Sequence, residues 1–344
     1  MRLKTFLRES ISVVRNAKAV YAGFKEFKNS KKTPDLAYTA MKKLFVQTNG
    51  RSNNIISSLI REKTYKGVSN QGVLGIYSAA ELQRVSKNIR ENGYHIFDRK
   101  LPAETIEAIV NYASTTPCAY RIISDGDYKK FKITFSDEVL FDEHQAKSPV
   151  YQFSQKNIAS CRALQELIFD QSILSVAQEY LNTRPILDLI AMWWSLPFGG
   201  KGKSESAQMY HFDLDRIKFI KFFFYLTDVD PETGPHCYVR GSHKKLPPPL
   251  NKQGRMTDEE VESAFGRENL LELCGESGTI MAVDTRGLHK GKDLTRDKRL
   301  IFQIEFANSM FGQYYPPFKK PPLPRHLDEV YNRYKPTYKE IMIE

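Results

Sequence analysis

The chain has 344 residues, 41% hydrophobic and 12% aromatic. That is enough apolar side chain for a sizeable core, which argues against global disorder and for one large domain with an appendage, or two domains. The formal net charge of +11 is unevenly placed: residues 1–64 hold 14 Lys+Arg against 4 Asp+Glu, which leaves 37 against 36 for the remainder, so whole-chain charge gives no reason to expect a nucleic-acid partner.

Within residues 3–24, Leu3, Phe6, Leu7, Ile11, Val14, Ala17, Tyr21 and Phe24 recur at helical spacing, with Lys4, Arg8 and Arg15 on the other side. Such a basic amphipathic helix either packs on the body or a second subunit, or brings residues 1–28 to an anionic membrane or acidic partner. Charges interrupt every stretch that could be the apolar region of a cleaved signal peptide, and no run of 18 apolar residues could span a membrane. Asn29 to Pro34 ends this helix, and Leu36, Ala40, Met41, Leu44 and Phe45 mark a second, short one. The polar stretch Gln47 to Asn54 reads as a linker.

Ser78 and Glu81 form a capping-box signature for a helix through about Glu91, which Asn92-Gly93 stops. Tyr94 to Phe97 reads as a short strand, Leu101-Pro102 opens a helix through about Ala113, and residues 156–182 are again helical in pattern. After Pro185 the texture changes. Ile186–Leu196, Phe219–Leu226, Gly278–Val283 and Leu300–Phe306 are strand runs, separated by turn signals at Gly199-Gly200, Asp230 to Gly234, and Gly287. This order predicts a mixed α and β chain whose β-rich part, about residues 184–310, is of sandwich or jelly-roll kind. The expected division is a basic helical extension, residues 1–64, and a main domain, residues 65–344, ending in a proline-rich surface tail from residue 311. Four cysteines, none in a CxxC pair, fit a reducing compartment better than a disulfide framework or a zinc site. A cytoplasmic location follows, peripheral to a membrane if the N-terminal helix docks there.

The chemistry is concentrated in Tyr210-His211-Phe212-Asp213. In extended backbone, positions i and i+2 point the same way, so His211 and Asp213 can converge on one ion. His289 follows a buried strand run and a polar turn, and Arg299 opens the next strand ten residues later. Two imidazoles and one carboxylate can cap one face of a ferrous ion and leave three positions open for oxygen chemistry. A fixed guanidinium can hold the carboxylate of an acidic co-substrate. His95 and His144 lie in the helical half, while His236 and His243 flank a strand-like Cys237-Tyr238-Val239. His243 is a candidate for orienting the site but not for a ligand. Of the adjacent Trp193 and Trp194, one faces inward and could wall a substrate pocket, or simply fill the core. Asp215 extends the motif to HxDxD, as a neighbour of the site, a solvent-facing group or an alternate ligand. Arg216, Lys218, Lys221 and Arg240 border the region, either as anion contacts or as a solvated face.

Together these residues resemble the phytanoyl-CoA dioxygenase family of iron(II)- and 2-oxoglutarate-dependent oxygenases, over about residues 80–310. Glu91-Asn92-Gly93-Tyr94, then Tyr225-Leu226-Thr227-Asp228-Val229, Gly234-Pro235 and Gly241-Ser242-His243, and last Gly278 to His289 with Arg299 carry the likeness. The resemblance implies a double-stranded β-helix with helices packed outside, iron held by His211, Asp213 and His289, and the distal carboxylate of 2-oxoglutarate held by Arg299. O₂ would complete the reactants, and Trp193, Tyr225, His243 and Asp215 would be the supporting or substrate-facing residues. The sequence departs from the family at Arg240, where a proline usually precedes Gly-Ser-His, and at Gly291, where many members place a serine. Relatives that halogenate lack the carboxylate ligand, so Asp213 favours hydroxylation of a small or lipid-linked metabolite. The alternatives are a non-catalytic jelly-roll binding module docked through its basic N-terminal helix and, fitting less well, a cupin-type isomerase with more histidine ligands.

Overall fold

The computed structural model describes residues 2–62, 65–122, 134–198, 208–248 and 250–344, with side chains from residue 10 onward. Leu3, Phe6 and Leu7, whose side chains the N-terminal pattern invoked, and the turn expected at Gly199-Gly200 lie outside the described set.

Three helices, α1 (Arg2–Ser30), α2 (Asp35–Thr48) and α3 (Arg51–Ile60), open the chain. The inner face of α1 carries Val20, Phe24 and Phe27, and the two phenylalanine rings meet Phe311 at 5.2 and 5.6 Å. The helix therefore packs on the body, while Ile11, Val14 and Tyr21 stay exposed. The stretch expected as a linker instead holds the end of α2 and the start of α3, separated only by Asn49 and Gly50, both left-handed at φ 50° and 75°. Its polar composition hid a helix whose most buried positions, Asn53 and Ser57, make hydrogen bonds, with Ile56 and Ile60 packing beside them. Asn53 Nδ2 donates to Ile217 O at 3.0 Å, and Ser57 Oγ accepts from Asn308 Nδ2 at 3.0 Å.

A two-residue hairpin, β1 (Gln71–Gly72) with β2 (Gly75–Ile76), precedes α4 (Ala79–Asn92), whose Ser78–Glu81 capping box is formed and whose end at Gly93 is left-handed at φ 93°. Then come β3 (Tyr94–Ile96), α5 (Ala103–Thr115), β4 (Cys118–Ile122), β5 (Thr134–Val139) and β6 (Val150–Gln152). The helical stretch at 156–182 resolves into α6 (Gln155–Ser160), α7 (Arg162–Ile168) and α8 (Gln171–Leu181), because Asp170 breaks the run to cap α8 through Ile173 N–H. The β-rich part supplies β7 (Ile186–Ser195), β8 (Phe219–Tyr225), β9 (His236–Val239), α9 (Asp258–Phe265), β10 (Leu270–Leu273), β11 (Ile280–Val283), β12 (His289–Gly291) and β13 (Arg299–Ala307). The tail expected on the surface instead folds back into the core: it holds β14 (Phe318–Lys319), α10 (Arg325–Arg333), α11 (Lys335–Tyr338) and β15 (Met342–Ile343), and buries Tyr331, Tyr338 and Ile341.

Eight strands form one antiparallel sheet in the order β3-β11-β8-β13-β7-β6-β4-β5, and a second sheet runs β10-β9-β12. The main sheet thus recruits β3 to β6 from outside residues 184–310. The alternation of each central strand sorts its side chains. Ile220, Phe222 and Phe224 of β8 and Leu300, Phe302, Ile304 and Phe306 of β13 enter the core under the helices. Lys221, Phe223, Arg299, Ile301 and Gln303 point the other way and line a cavity. The second sheet covers that inner face through Tyr238 and Leu273, which pack with Phe223 and Ile301. Large antiparallel sheet, smaller facing sheet and outer helices are consistent with a jelly-roll. Among the described residues, no helix is long and apolar enough to cross a membrane.

Candidate metal centre

His211 and Asp213 lie in an extended stretch bridged to the strand of the distal histidine. His211 N–H donates to His289 O at 3.0 Å, His289 N–H returns to His211 O at 2.8 Å, and Asp213 N–H donates to Thr285 O at 2.8 Å. Backbone pairing, not proximity in sequence, brings the two imidazoles together, their centroids 4.3 Å apart. One donor atom from each of His211, Asp213 and His289 falls within 4.8 Å of the others.

Each ring is also oriented. His211 Nδ1 lies 2.9 Å from Met209 O and His289 Nδ1 lies 3.0 Å from Gly287 O. A carbonyl can only accept, so both Nδ1 atoms carry the proton and both Nε2 atoms keep a lone pair. Those Nε2 atoms lie 3.8 and 3.4 Å from Asp213 Oδ1 and Oδ2. This tautomer, fixed by a hydrogen bond on the far nitrogen, is what a metal-ligating histidine requires. Burial and the neighbouring His289 hold His211 well below the usual imidazole range, so its ligand atom is unprotonated at neutral pH.

Lys221, which sequence reading left between an anion contact and a solvated face, proves to be a buried support of this cluster. Its Nζ is 2.7 Å from Asp213 Oδ2, 3.1 Å from Asp215 Oδ2 and 3.4 Å from Glu305 Oε2. Burial pushes the Asp213 carboxyl up, but the Lys221 ammonium opposes it and Asp213 lies well below the usual range. Burial wins at Asp215 and Glu305, which are raised. Asp213 is therefore the ionised member of the three, and Asp215 faces Lys221 and not the histidines. The available signal was the alternation of β8, which puts Lys221 on the same face as Phe223.

Arg299 lines the same cavity of about 800 Å³ as the two histidines and Asp213. Only 6% of Arg299 is exposed, and its Nη2 donates to Ser195 Oγ at 3.2 Å. Nε and Nη1 are buried without a partner. Burial lowers its pKa, with Tyr225 and Cys237 opposing. A buried guanidinium with idle donors facing a cavity is a receptor for a planar anion.

The remaining candidates divide. Trp193 is part of the cavity wall, whereas Trp194 turns into the core and stacks on Phe141 at 4.8 Å and 6°. Tyr225 is fully buried behind the site: its hydroxyl donates to Leu273 O at 2.7 Å and accepts from His236 N–H. His243 is not brought to this cavity. Its Nε2 donates to Arg90 O at 2.9 Å on the far side of the turn. Ser242 beside it holds the distal segment instead, accepting from Leu288 N–H at 2.7 Å. Sequence reading passed over His236, whose ring stacks on His289 at 5.3 Å and whose Nε2 is buried without a partner in the cavity. Arg216 is buried on Asp188, and Arg240 is exposed.

A family model described as phytanoyl-CoA dioxygenase (PhyH) matches residues 89–300. The chain belongs to the phytanoyl-CoA dioxygenase family. Within that family's span lie all four of His211, Asp213, His289 and Arg299. No curated relative matches the chain. Similar solved structures include the non-heme alpha ketoglutarate dependent epimerase SnoN from nogalamycin biosynthesis, at 17% identity over 67% of this chain and 84% of that one, TM-score 0.47. EctD from S. alaskensis with bound Fe is 14% identical over 72% and 80%, TM-score 0.46. HygX from Streptomyces hygroscopicus with nickel and 2-oxoglutarate bound is 14% identical over 73% and 94%, TM-score 0.46.

Proposed function

We propose that this chain is an iron(II)- and 2-oxoglutarate-dependent dioxygenase with a double-stranded β-helix core, and that it hydroxylates a small or lipid-linked metabolite. The observation that carries the reading is the pairing of two functions in one cavity. Two histidine Nε2 atoms and a carboxylate converge within 4.8 Å, their tautomers set for ligation, and Arg299 waits beside them with idle donors. The donor set is of the facial-triad kind suited to iron(II).

His211, Asp213 and His289 would hold the iron. When bound, it would supply the oxygen chemistry, in which O₂ oxidises 2-oxoglutarate to succinate and CO₂ and a substrate C–H becomes C–OH. Arg299 would take the distal carboxylate of 2-oxoglutarate through two parallel N–H donors. Lys221 fixes the direction of Asp213, and the carbonyls of Met209 and Gly287 fix the two rings. Trp193, Phe223 and Ile301 give the cavity an apolar wall against which a substrate carbon skeleton would pack. Asp213 supports hydroxylation over halogenation, because it fills the position a halide would need.

The same proposal divides the chain into a helical extension, residues 1–64, and the oxygenase domain, residues 65–344. Packing of α1 and α2 on Ile217 and Phe311 supports a scaffold role for the extension. Succinate release in air, scored across candidate metabolites with Fe(II) and 2-oxoglutarate, tests the reaction. Dependence on both, and its loss in His211→Ala, is expected; turnover that survives His211→Ala or needs no 2-oxoglutarate would contradict it.

A further inference from the structure

A second cavity of about 540 Å³ lies outside the main sheet, where α3 meets the C-terminal ends of α4 and α8, and shares no lining residue with the metal cavity. Its floor holds Arg286, buried and paired in bidentate fashion with Asp284. Beside it Lys218 Nζ donates to Tyr180 O at 3.0 Å and lies 4.6 Å from the Tyr180 ring. Arg90 donates to Glu179 O at 2.9 Å, and Arg51, Arg61 and Lys244 form an exposed rim. Among the described residues Arg286 alone of these cations has an acidic partner.

Two further observations point to a ligand. His243, only 8% exposed, lines the cup with Nδ1 buried and unpartnered while Nε2 is held on Arg90 O. Burial first, and then the Arg286 guanidinium, push the Lys218 ammonium down to about 7, with Asp284 opposing. An anion in the cup would favour the charged form of both side chains, the Nδ1–H of a protonated His243 and the Lys218 ammonium then donating to it. On α3, Arg51, Asn54 and Ser58 face the cup, and the adjoining stripe carries Ile55 and Leu59, one turn apart and 60% and 79% exposed. Single exposed aliphatics need no explanation. A pair flanking a cationic cup matches a membrane interface, where phosphates lie at headgroup level and aliphatic side chains enter the acyl boundary.

We propose that this cup binds the phosphorylated headgroup of an anionic lipid, with Ile55 and Leu59 inserted into the membrane beside it. Each phosphomonoester brings close to two negative charges and several acceptor oxygens, which the unpaired guanidinium and ammonium groups can take without displacing an existing ion pair. The inference is independent of the oxygenase reading, since the cup contains none of the candidate iron or 2-oxoglutarate residues.

Flotation of the full chain tests it. The vesicles are phosphatidylcholine carrying a phosphatidylinositol bisphosphate, compared with vesicles of equal surface charge made with phosphatidylserine. Preference for the former is expected. Arg61→Ala and Lys244→Ala should each weaken binding about fivefold, and together roughly 30-fold. Ile55→Ser with Leu59→Ser should weaken vesicle binding about tenfold while leaving binding of soluble inositol trisphosphate unchanged. These four side chains are exposed, and circular dichroism of each variant is the check on folding. Equal binding to both vesicles would reduce the contact to diffuse charge and overturn the proposal. So would cup variants that bind like wild type, serine variants that float unimpaired, or binding lost only when lysines of α1 are removed.

Discussion

Replacing Arg299 with methionine separates a ligand receptor from a structural cation. In the free protein Arg299 makes one hydrogen bond, to Ser195 Oγ at 3.2 Å, and leaves Nε and Nη1 buried and idle. Each unsatisfied buried donor costs about 1–3 kcal/mol. Methionine fills a similar volume without those donors, so Arg299→Met should leave the free protein as stable as wild type or more so. With 2-oxoglutarate bound the balance reverses. Truncating one partner of a buried, hydrogen-bonded charge pair costs about 2–5 kcal/mol, or roughly 30- to 5,000-fold in the dissociation constant. Thermal melts with and without 2-oxoglutarate, in the presence of the metal, read both effects. Wild type should gain about 2.7 kcal/mol at a hundred times its dissociation constant, and the variant almost nothing at the same concentration. Arg299→Lys keeps the charge but loses the planar fork and should fall between. Unchanged 2-oxoglutarate affinity in Arg299→Met, or a marked loss of stability in its free form, would refute the reasoning.

The two tryptophans should part company: Trp194→Ala, which unstacks Phe141 in the core, should cost about 3–5 kcal/mol in denaturant melts. Trp193→Ala should leave stability nearly intact and change the KM of whatever metabolite is oxidised. Gly291→Ser restores the residue many family members carry; a Cβ there would sit 3.8 Å from Arg299 Nη2 with room to spare. It should change stability by less than about 0.5 kcal/mol and lower the KM for 2-oxoglutarate. His236 is held well below the usual imidazole range, by burial first and then by His289 and Arg299. A lowered folded pKa gives stability that is full above the unfolded value, about 6.5, and is lost as pH falls toward the folded value. His236→Phe should therefore flatten the acid side of the stability–pH profile by up to about 1.4 kcal/mol per pH unit, and a profile parallel to wild type would count against the assignment.

Much of the site was legible because its chemistry depends on residue type and order: His211, Asp213, His289 and Arg299 stand out as a spaced set, and backbone pairing gathers the first three. What sequence could not supply was direction out of the strand plane. Lys221 and Lys218 are three residues apart on one strand approach, yet one supports Asp213 inside and the other lies outside on Tyr180 O. Only the pleat, fixed by register against β13 and β11, decides between them. His243 was legible as part of a Gly-Ser-His turn, but the turn points its ring at Arg90 and leaves Ser242 to hold Leu288. The fold was clearest where one face is strongly apolar, as in β8 and β13. It was least clear at α3, whose most buried positions are polar, and at β5, an edge strand with mostly exposed side chains and no alternation to read.

The central claim is that one cavity holds iron(II) and 2-oxoglutarate together. Anaerobic titration of the full chain with Fe(II) and then 2-oxoglutarate tests it most directly, because chelation of the keto acid by the metal produces a weak visible charge-transfer band. The account predicts that band in wild type, its absence in Asp213→Ala, and its appearance in Arg299→Met only at much higher 2-oxoglutarate. A chain that binds Fe(II) yet gives no band at any 2-oxoglutarate concentration, and no succinate in air, would contradict it.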